Sequence, residues 1–398
     1  MFTFVTLNCS RSPITEKKQT LGEQMKKFAK MSLVAAIAVA GTVASAQPLA
    51  EAIANVDVSG TVVYRYNDLK YDDDSNAKNN SDNNYKIGVT LKSKVTDDVT
   101  FNSRILMDNG WGDALGTTSD NADGNVELEL SWANFAYTGI ANTTVVVGKQ
   151  GLATPWTRAI DSDGSEQTGT GILAMTTMGP VTAAGGYFNQ TNISTTMYGD
   201  TLDAGANLMV AAVMGSFGPV KAEAWYLDID EGMSQYFVKV AGAVGPVKMF
   251  AQYSDYDGET NTNLNDDVNL LKVGVSGKMG MFNAGITYAK SGNEGTGILN
   301  SVAPSVSAIG YSVNLNGADN ADAFFVDLGA QVTDKLHIGL NYDRVSDDDA
   351  DNADDHDETF VQFTYNHAKN LSTYVRLATG EDAEEDYNRG RLQIEYKF

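Results

Sequence analysis

The last ten residues constrain the fold more than any other stretch. From Arg389 to Phe398, Leu392, Ile394, Tyr396 and Phe398 fall on one side of an extended strand, and Arg391, Gln393, Glu395 and Lys397 fall on the other. Side chains alternate across a strand, so this is a ribbon with one apolar and one charged face. A chain terminus usually frays and buries little. A terminal strand closing on an aromatic is built to be paired, with lipid on one face and water on the other, as in the final strand of a transmembrane β-barrel. An amphipathic strand at the edge of a soluble sheet is the competing reading.

The same period of two runs through the chain. Val56, Val58, Val62, Tyr64 and Tyr66 alternate with Asp57, Ser59, Thr61, Val63 and Arg65, so residues 55–67 read as a first strand. Residues 85–92 and 101–108 give the second and third. Further strands are predicted near 126–138, 143–150, 172–178, 181–189, 206–216, 220–228, 235–244, 246–255, 267–277, 281–290, 322–331, 336–344, 357–367, 371–379 and 389–398. The connections alternate: tight turns such as Thr96-Asp97-Asp98, Gly179-Pro180, Gly218-Pro219 and Gly245-Pro246, then long polar loops such as Asp68–Asn84 and Asn293–Asn320. The expected fold is all-β, a transmembrane antiparallel β-barrel of about 18 strands with short periplasmic turns and long external loops. Tyr64, Tyr66, Tyr85, Tyr253, Tyr288, Tyr342, Tyr365 and Tyr396 lie towards strand ends, where interfacial aromatic girdles belong.

Before the first strand, Lys26, Lys27 and Lys30 precede the short apolar run Ser32–Thr42 and the small residues Ala44-Ser45-Ala46. That order reads as an export signal rather than a membrane anchor. The division expected is an overlong extension over 1–24, a signal peptide over 25–46 and an outer-membrane barrel over 47–398. Removing the basic leader makes a chain of net charge −23 more negative still, and it also removes the one cysteine, Cys9. Strong acidity argues against nucleic acid, whose binding needs clustered Lys and Arg, and favours cations.

No catalytic constellation emerges: the three histidines, His337, His356 and His367, share no ligand spacing, and no nucleophile elbow or phosphate loop is present. One segment breaks the barrel rhythm. Gly151–Gly171, the third long loop, carries Pro155, Trp156, Arg158, Asp161, Asp163 and Glu166, one large aromatic among several charges. A loop folded into a barrel must pack an apolar part on the wall and show charge to the water. The expectation is a pore constriction in which Asp161, Asp163 and Glu166 face the permeating ion. Arg65, Lys92, Arg104, Arg376 and Arg391 occupy the polar faces of the first, second, third, seventeenth and eighteenth strands, which become contiguous on closure. They form a candidate basic pore wall opposite the acidic loop, and the crossed field would orient polar solutes. Conduction requires no cofactor. Asp161 and Asp163 are nevertheless spaced to recruit calcium in or near the constriction, although Ile172 stands where an EF-hand needs Glu. The acidic run Asp347–Asp355 reads as a solvated external loop able to bridge through divalent ions to lipopolysaccharide.

The stretches Pro48–Tyr66, Val146–Gln150 (VVGKQ), Pro155–Asp161 (PWTRAID), Thr168–Gly171 (TGTG) and the closing RLQIEYKF resemble the major outer membrane porin family of Campylobacter-type bacteria. The resemblance implies an eighteen-stranded barrel, a homotrimer, and passive passage of small hydrophilic solutes with some cation preference. Trp156, Thr157 and Asp161 match its third-loop pattern. Arg158 stands where an acidic residue is expected, and Ser162–Glu166 looks like a local insertion.

These readings converge on a general diffusion porin of the bacterial outer membrane, with outer-membrane lipid, lipopolysaccharide, small solutes and cations as partners. Leu392, Ile394, Tyr396 and Phe398 would mark the closing strand for assembly, pairing it with residues 55–67. The alternative is a structural or adhesive barrel acting through its acidic external loops.

Overall fold

The computed structural model describes residues 55–72, 80–108, 127–161, 166–193, 196–197, 200–201, 205–230, 232–258, 268–293, 295, 310–313, 315, 318–346, 356–382 and 385–398. The leader, the proposed signal cleavage, Asp163 and Asp347–Asp355 lie outside them.

Twenty strands follow in chain order: β1 Val56–Tyr71, β2 Asn80–Lys94, β3 Val99–Asp108, β4 Glu127–Ile140, β5 Thr143–Gly151, β6 Thr168–Met178, β7 Val181–Thr191, β8 Thr196–Met197, β9 Asp200–Thr201, β10 Leu208–Phe217, β11 Val220–Ile229, β12 Met233–Val244, β13 Val247–Gly258, β14 Val268–Met279, β15 Phe282–Ser291, β16 Asp322–Gln331, β17 Leu336–Ser346, β18 His356–Ala368, β19 Leu371–Asp382 and β20 Glu385–Lys397. All but β8 and β9, a separate two-stranded ribbon, join one 18-stranded sheet. Each strand pairs antiparallel with its neighbours in that sequence, and β20 pairs with β1, placing Tyr66 opposite Leu392, Tyr64 opposite Ile394 and Val62 opposite Tyr396. The sheet is therefore closed, and neither terminal strand has a free edge to satisfy in lipid.

Burial is inverted relative to a soluble domain. Phe135, Val147, Val213, Val240, Leu328 and Leu377 point outward and exposed, while Arg65, Lys86, Arg104, Gln235, Gln252, Asp343 and Glu358 are buried inside. An apolar exterior of this extent is stable against hydrocarbon, not water. At the short-turn end, Gly179, Gly218 and Gly245 each take the first turn position with φ of 59°, 61° and 58°. Proline follows each of them, with its φ held negative, as a II′ hairpin turn requires.

Two expectations change. The polar stretch Asp68–Asn84 is strand at both ends, because β1 continues to Tyr71 and β2 begins at Asn80, with Leu69 opposite Asn80 and Tyr71 opposite Tyr387. Polarity does not stop a strand whose backbone still finds a partner on one edge, β1 for Asn80–Asn84 and β20 for Lys70 and Tyr71. Nor are all connections at the loop end long: β19 and β20 stay paired up to Asp382 opposite Glu385, and β11 and β12 up to Ile229 opposite Met233.

Candidate functional site

Two segments between barrel strands fold onto the inner wall. The first joins β5 to β6, and its described residues are 152–161 and 166–167. Its tight turn centres on Pro155 and Trp156, where the Trp156 amide donates to Thr154 Oγ1 at 3.2 Å and the Thr157 hydroxyl donates to the Leu152 carbonyl at 2.7 Å. The turn drives Trp156 into an apolar cluster with Leu152, Phe188, Leu208, Leu227 and Phe237, where it is 0% exposed. Its ring meets Phe237 edge-on at 6.2 Å, and its indole N–H donates to Ser254 Oγ at 3.4 Å. Trp156 is thus the anchor that seats the segment on β12 and β13.

The other end is held by charge. Glu166 accepts from Arg104 Nε and Nη2, both at 2.6 Å, with Lys86 Nζ at 3.6 Å and the Ser131 hydroxyl at 3.4 Å. These contacts lie on β2, β3 and β4, so the segment reaches from that part of the wall to β12 and β13. Gln167 closes the base, accepting from the Arg158 amide at 2.6 Å and donating its own amide to the Arg158 carbonyl at 2.8 Å. Arg158 in turn pairs with Asp161 at 2.9 Å.

Of the three carboxylates expected at the constriction, Asp163 lies outside the described residues and the other two have cation partners. The Glu166 carboxylate is buried against Arg104, and Asp161 is buried and shared with Arg158, so neither presents an uncompensated charge to a permeating ion. The physical reason is desolvation: a buried carboxylate needs a cation beside it. Of the two expected calcium ligands, Asp161 is paired with Arg158 and Asp163 lies outside the described residues. Among the described residues, no group of three His, Cys, Asp or Glu side chains could hold a metal.

The second inward segment lies within the connection from β15 to β16, and its described residues are 310–313, 315 and 318–321. Val313 and Leu315 are buried with Leu270, Ala289, Phe325 and Val345 on β14 to β17. Beyond them, the amides of Tyr311 and Ser312 donate to Glu358 Oε1 at 3.0 and 2.8 Å, and the Tyr387 hydroxyl donates to its Oε2 at 3.1 Å. Arg389 Nη1 donates to the Tyr311 carbonyl at 3.3 Å and to Ser312 Oγ at 2.8 Å. The guanidinium carbons of Arg376, Arg389 and Arg391 stand 4.4, 4.3 and 4.8 Å from the centre of the Tyr311 ring. Burial pushes the Tyr311 phenol above its ordinary pKa, with the three arginines pulling the other way.

Arg65, Lys92, Arg104, Arg376 and Arg391 stand on the contiguous strands β1, β2, β3, β19 and β20. Their environments differ. Arg104 is spent on Glu166, whereas Arg65 donates to Gln393 at 2.8 Å, Arg391 to Asn67 at 2.7 Å and Arg376 to Gln362 at 2.8 Å. Lys92 is exposed near the short-turn end, opposite Asp57. Sequence reasoning missed Arg389, Glu358 and the Tyr311 segment. Arg389 shares the parity of Arg391, and Tyr311, Val313 and Leu315 alternate inside a connection otherwise read as a polar loop. Both signals were present in the sequence.

The family model described as Campylobacter major outer membrane protein matches residues 25–398. Among solved structures, OccAB4 of Acinetobacter baumannii superposes with a TM-score of 0.71 at 15% identity, covering 86% of this chain and 98% of that one. OpdL of Pseudomonas aeruginosa gives 0.70 at 16%, covering 87% and 99%. A BenF-like porin from Pseudomonas fluorescens Pf-5 gives 0.70 at 15%, covering 87% and 99%. No curated protein matches the chain.

Proposed function

From the premise that this chain belongs to the Campylobacter major outer membrane protein family, and is therefore an outer-membrane porin, we propose that it passes ions and small hydrophilic solutes by passive diffusion. The passage narrows between the described parts of the two inward segments, 152–161 with 166–167 on one side and 310–313, 315 and 318–321 on the other. The observation that carries the reading is that both segments lie inside the closed barrel and are pinned there by buried charge, Glu166 by Arg104 and the Tyr311 backbone by Glu358. A segment held at both ends subtends the lumen without collapsing into the apolar wall.

Solutes cross such a space by exchanging water for the polar inner face, which here includes Gln362, Gln393, Asn67 and Thr90. Cation preference arises at the mouths, because a chain of net charge −23 with acid-rich loops raises the local cation concentration. The basic wall acts deeper, on how a polar solute is oriented. The porin acts as a homotrimer after cleavage of the leader over 25–46, with part of its apolar exterior facing its own copies instead of lipid.

Planar-bilayer recording of the purified protein tests this. Stepwise conductance with a cation-directed reversal potential in asymmetric potassium chloride is the expected result. Absence of conductance would leave the structural or adhesive barrel as the better account, and an anion-directed reversal would overturn the cation preference alone.

A further inference from the structure

We propose that Arg376, Arg389 and Arg391, gathered around the ring of Tyr311, form a binding subsite for the carboxylate group of a small solute inside the pore. The inference rests on the porin reading and names a solute class for it.

Arg376 and Arg391 are direct cross-strand partners on β19 and β20, and Arg389 follows two residues away on the same face. Like charges directly opposite on a sheet repel and destabilise it. Among the described residues none of the three forms an ion pair, although the same barrel pairs Arg104 with Glu166 and Arg158 with Asp161. Glu358, a carboxylate close enough to act on Arg376, already accepts from two backbone amides and the Tyr387 hydroxyl. Neutral groups hold the guanidiniums instead: Gln362 for Arg376, Asn67 for Arg391, and the Tyr311 carbonyl with the Ser312 hydroxyl for Arg389. Amide and hydroxyl partners orient a guanidinium without neutralising it, so the positive charge stays available.

The donor inventory points the same way. Arg391 uses only Nε, Arg376 uses Nε and Nη2, and Arg389 uses only Nη1. Among the described residues, no atom accepts from either terminal nitrogen of Arg391, from Nη1 of Arg376, or from Nε and Nη2 of Arg389. All three side chains are half-buried, hence reachable from the lumen. The Tyr311 hydroxyl is buried with no hydrogen-bond partner among the described residues, so the contact with a solute falls to the arginines. Stacking on Tyr311, and of Arg376 on Phe360 at 4.6 Å, keeps the guanidiniums in place before a solute arrives. A planar, two-oxygen anion matches this set of forks, because guanidinium and carboxylate pair through parallel charge-assisted hydrogen bonds.

The test is single-channel recording of the full protein in potassium chloride with added glutarate, against 1,5-pentanediol as the neutral analogue of the same length. Glutarate is expected to reduce the current saturably, and the diol is not. In the Arg376→Gln/Arg391→Gln double variant, half-reduction should require about tenfold more glutarate, as loss of a charge-assisted contact implies. Arg389→Gln, which leaves the Arg376–Arg391 row intact, is the second variant should the double one fail to assemble, and it should require severalfold more. Lys248→Gln, removing a positive charge on β13, should leave the requirement unchanged. A conducting wild type with no saturable glutarate effect, an equal effect of the diol, or an equal shift in Lys248→Gln and the arginine variants would overturn the subsite and leave the porin reading standing. Wild-type protein without conductance would overturn both.

Discussion

Glu166 spans the guanidinium of Arg104, with Oε2 2.6 Å from Nε and Oε1 2.6 Å from Nη2, both side chains buried inside the barrel. A carboxylate 62 residues further along the chain thereby ties the inward segment to β3. Breaking one partner of such a pair strands the other charge in a poorly hydrated site, which costs about 3–5 kcal/mol. Lys86, 3.6 Å from the same carboxylate, takes up part of that loss when Arg104 is removed, so Arg104→Gln should fall at the low end. Glu166→Gln strands two cations and should cost more. Thermal unfolding of the purified protein in detergent orders the two variants, and the reverse order would contradict this account of the anchor.

Trp156 fixes the opposite end. Trp156→Ala should open a cavity among Leu152, Phe188 and Phe237 at a cost of about 3–5 kcal/mol. Its functional consequence is release of the segment from β12 and β13, seen as larger and noisier single-channel current. Trp156→Phe, which keeps the apolar contact but loses the N–H to Ser254, should lie between the two.

Glu358 plays the corresponding part for the second segment. Glu358→Gln keeps one acceptor oxygen but loses the charge that two amides and a phenol share, a loss of about 1.5–3 kcal/mol for a charged acceptor. Protease accessibility near Tyr311 should rise in this variant. Unchanged cleavage together with unchanged conductance would show that the segment is held mainly by Val313 and Leu315.

The Tyr311 phenol supplies a pH signature. Burial raises its pKa in the folded protein, so its share of docking stability is fully present below the ordinary phenol value of 10.0 and is lost as pH climbs through the folded pKa. Conductance governed by this segment should therefore be flat through the neutral range and change only in alkali. Tyr311→Phe should abolish the alkaline change, as read from current–pH curves of the two proteins.

The strand pattern was legible because the environment that selects it is local. Each barrel strand has apolar surroundings on one face and water or polar side chains on the other, so Tyr64 and Arg65, or Ile394 and Gln393, report their surroundings one residue at a time. The extent of the strands was less legible. Asp68 and Ser81 look like loop residues by composition, yet they pair with each other because both strand edges continue beyond the lipid.

By itself, the sequence pointed to a transmembrane antiparallel barrel, because the period-two alternation recurs from strand to strand between alternating short turns and long polar loops. It also marked the Pro155–Trp156 segment as foreign to the strand rhythm. Only the tertiary structure decided which charges meet. Glu166 reaches Arg104 across 62 residues, and the Tyr311 carbonyl meets Arg389 across 78, through paths over the lumen that no local periodicity encodes. Those meetings depend on where whole segments land in three dimensions: they give Glu166 a buried cation partner and leave Arg376, Arg389 and Arg391 without an ion pair among the described residues.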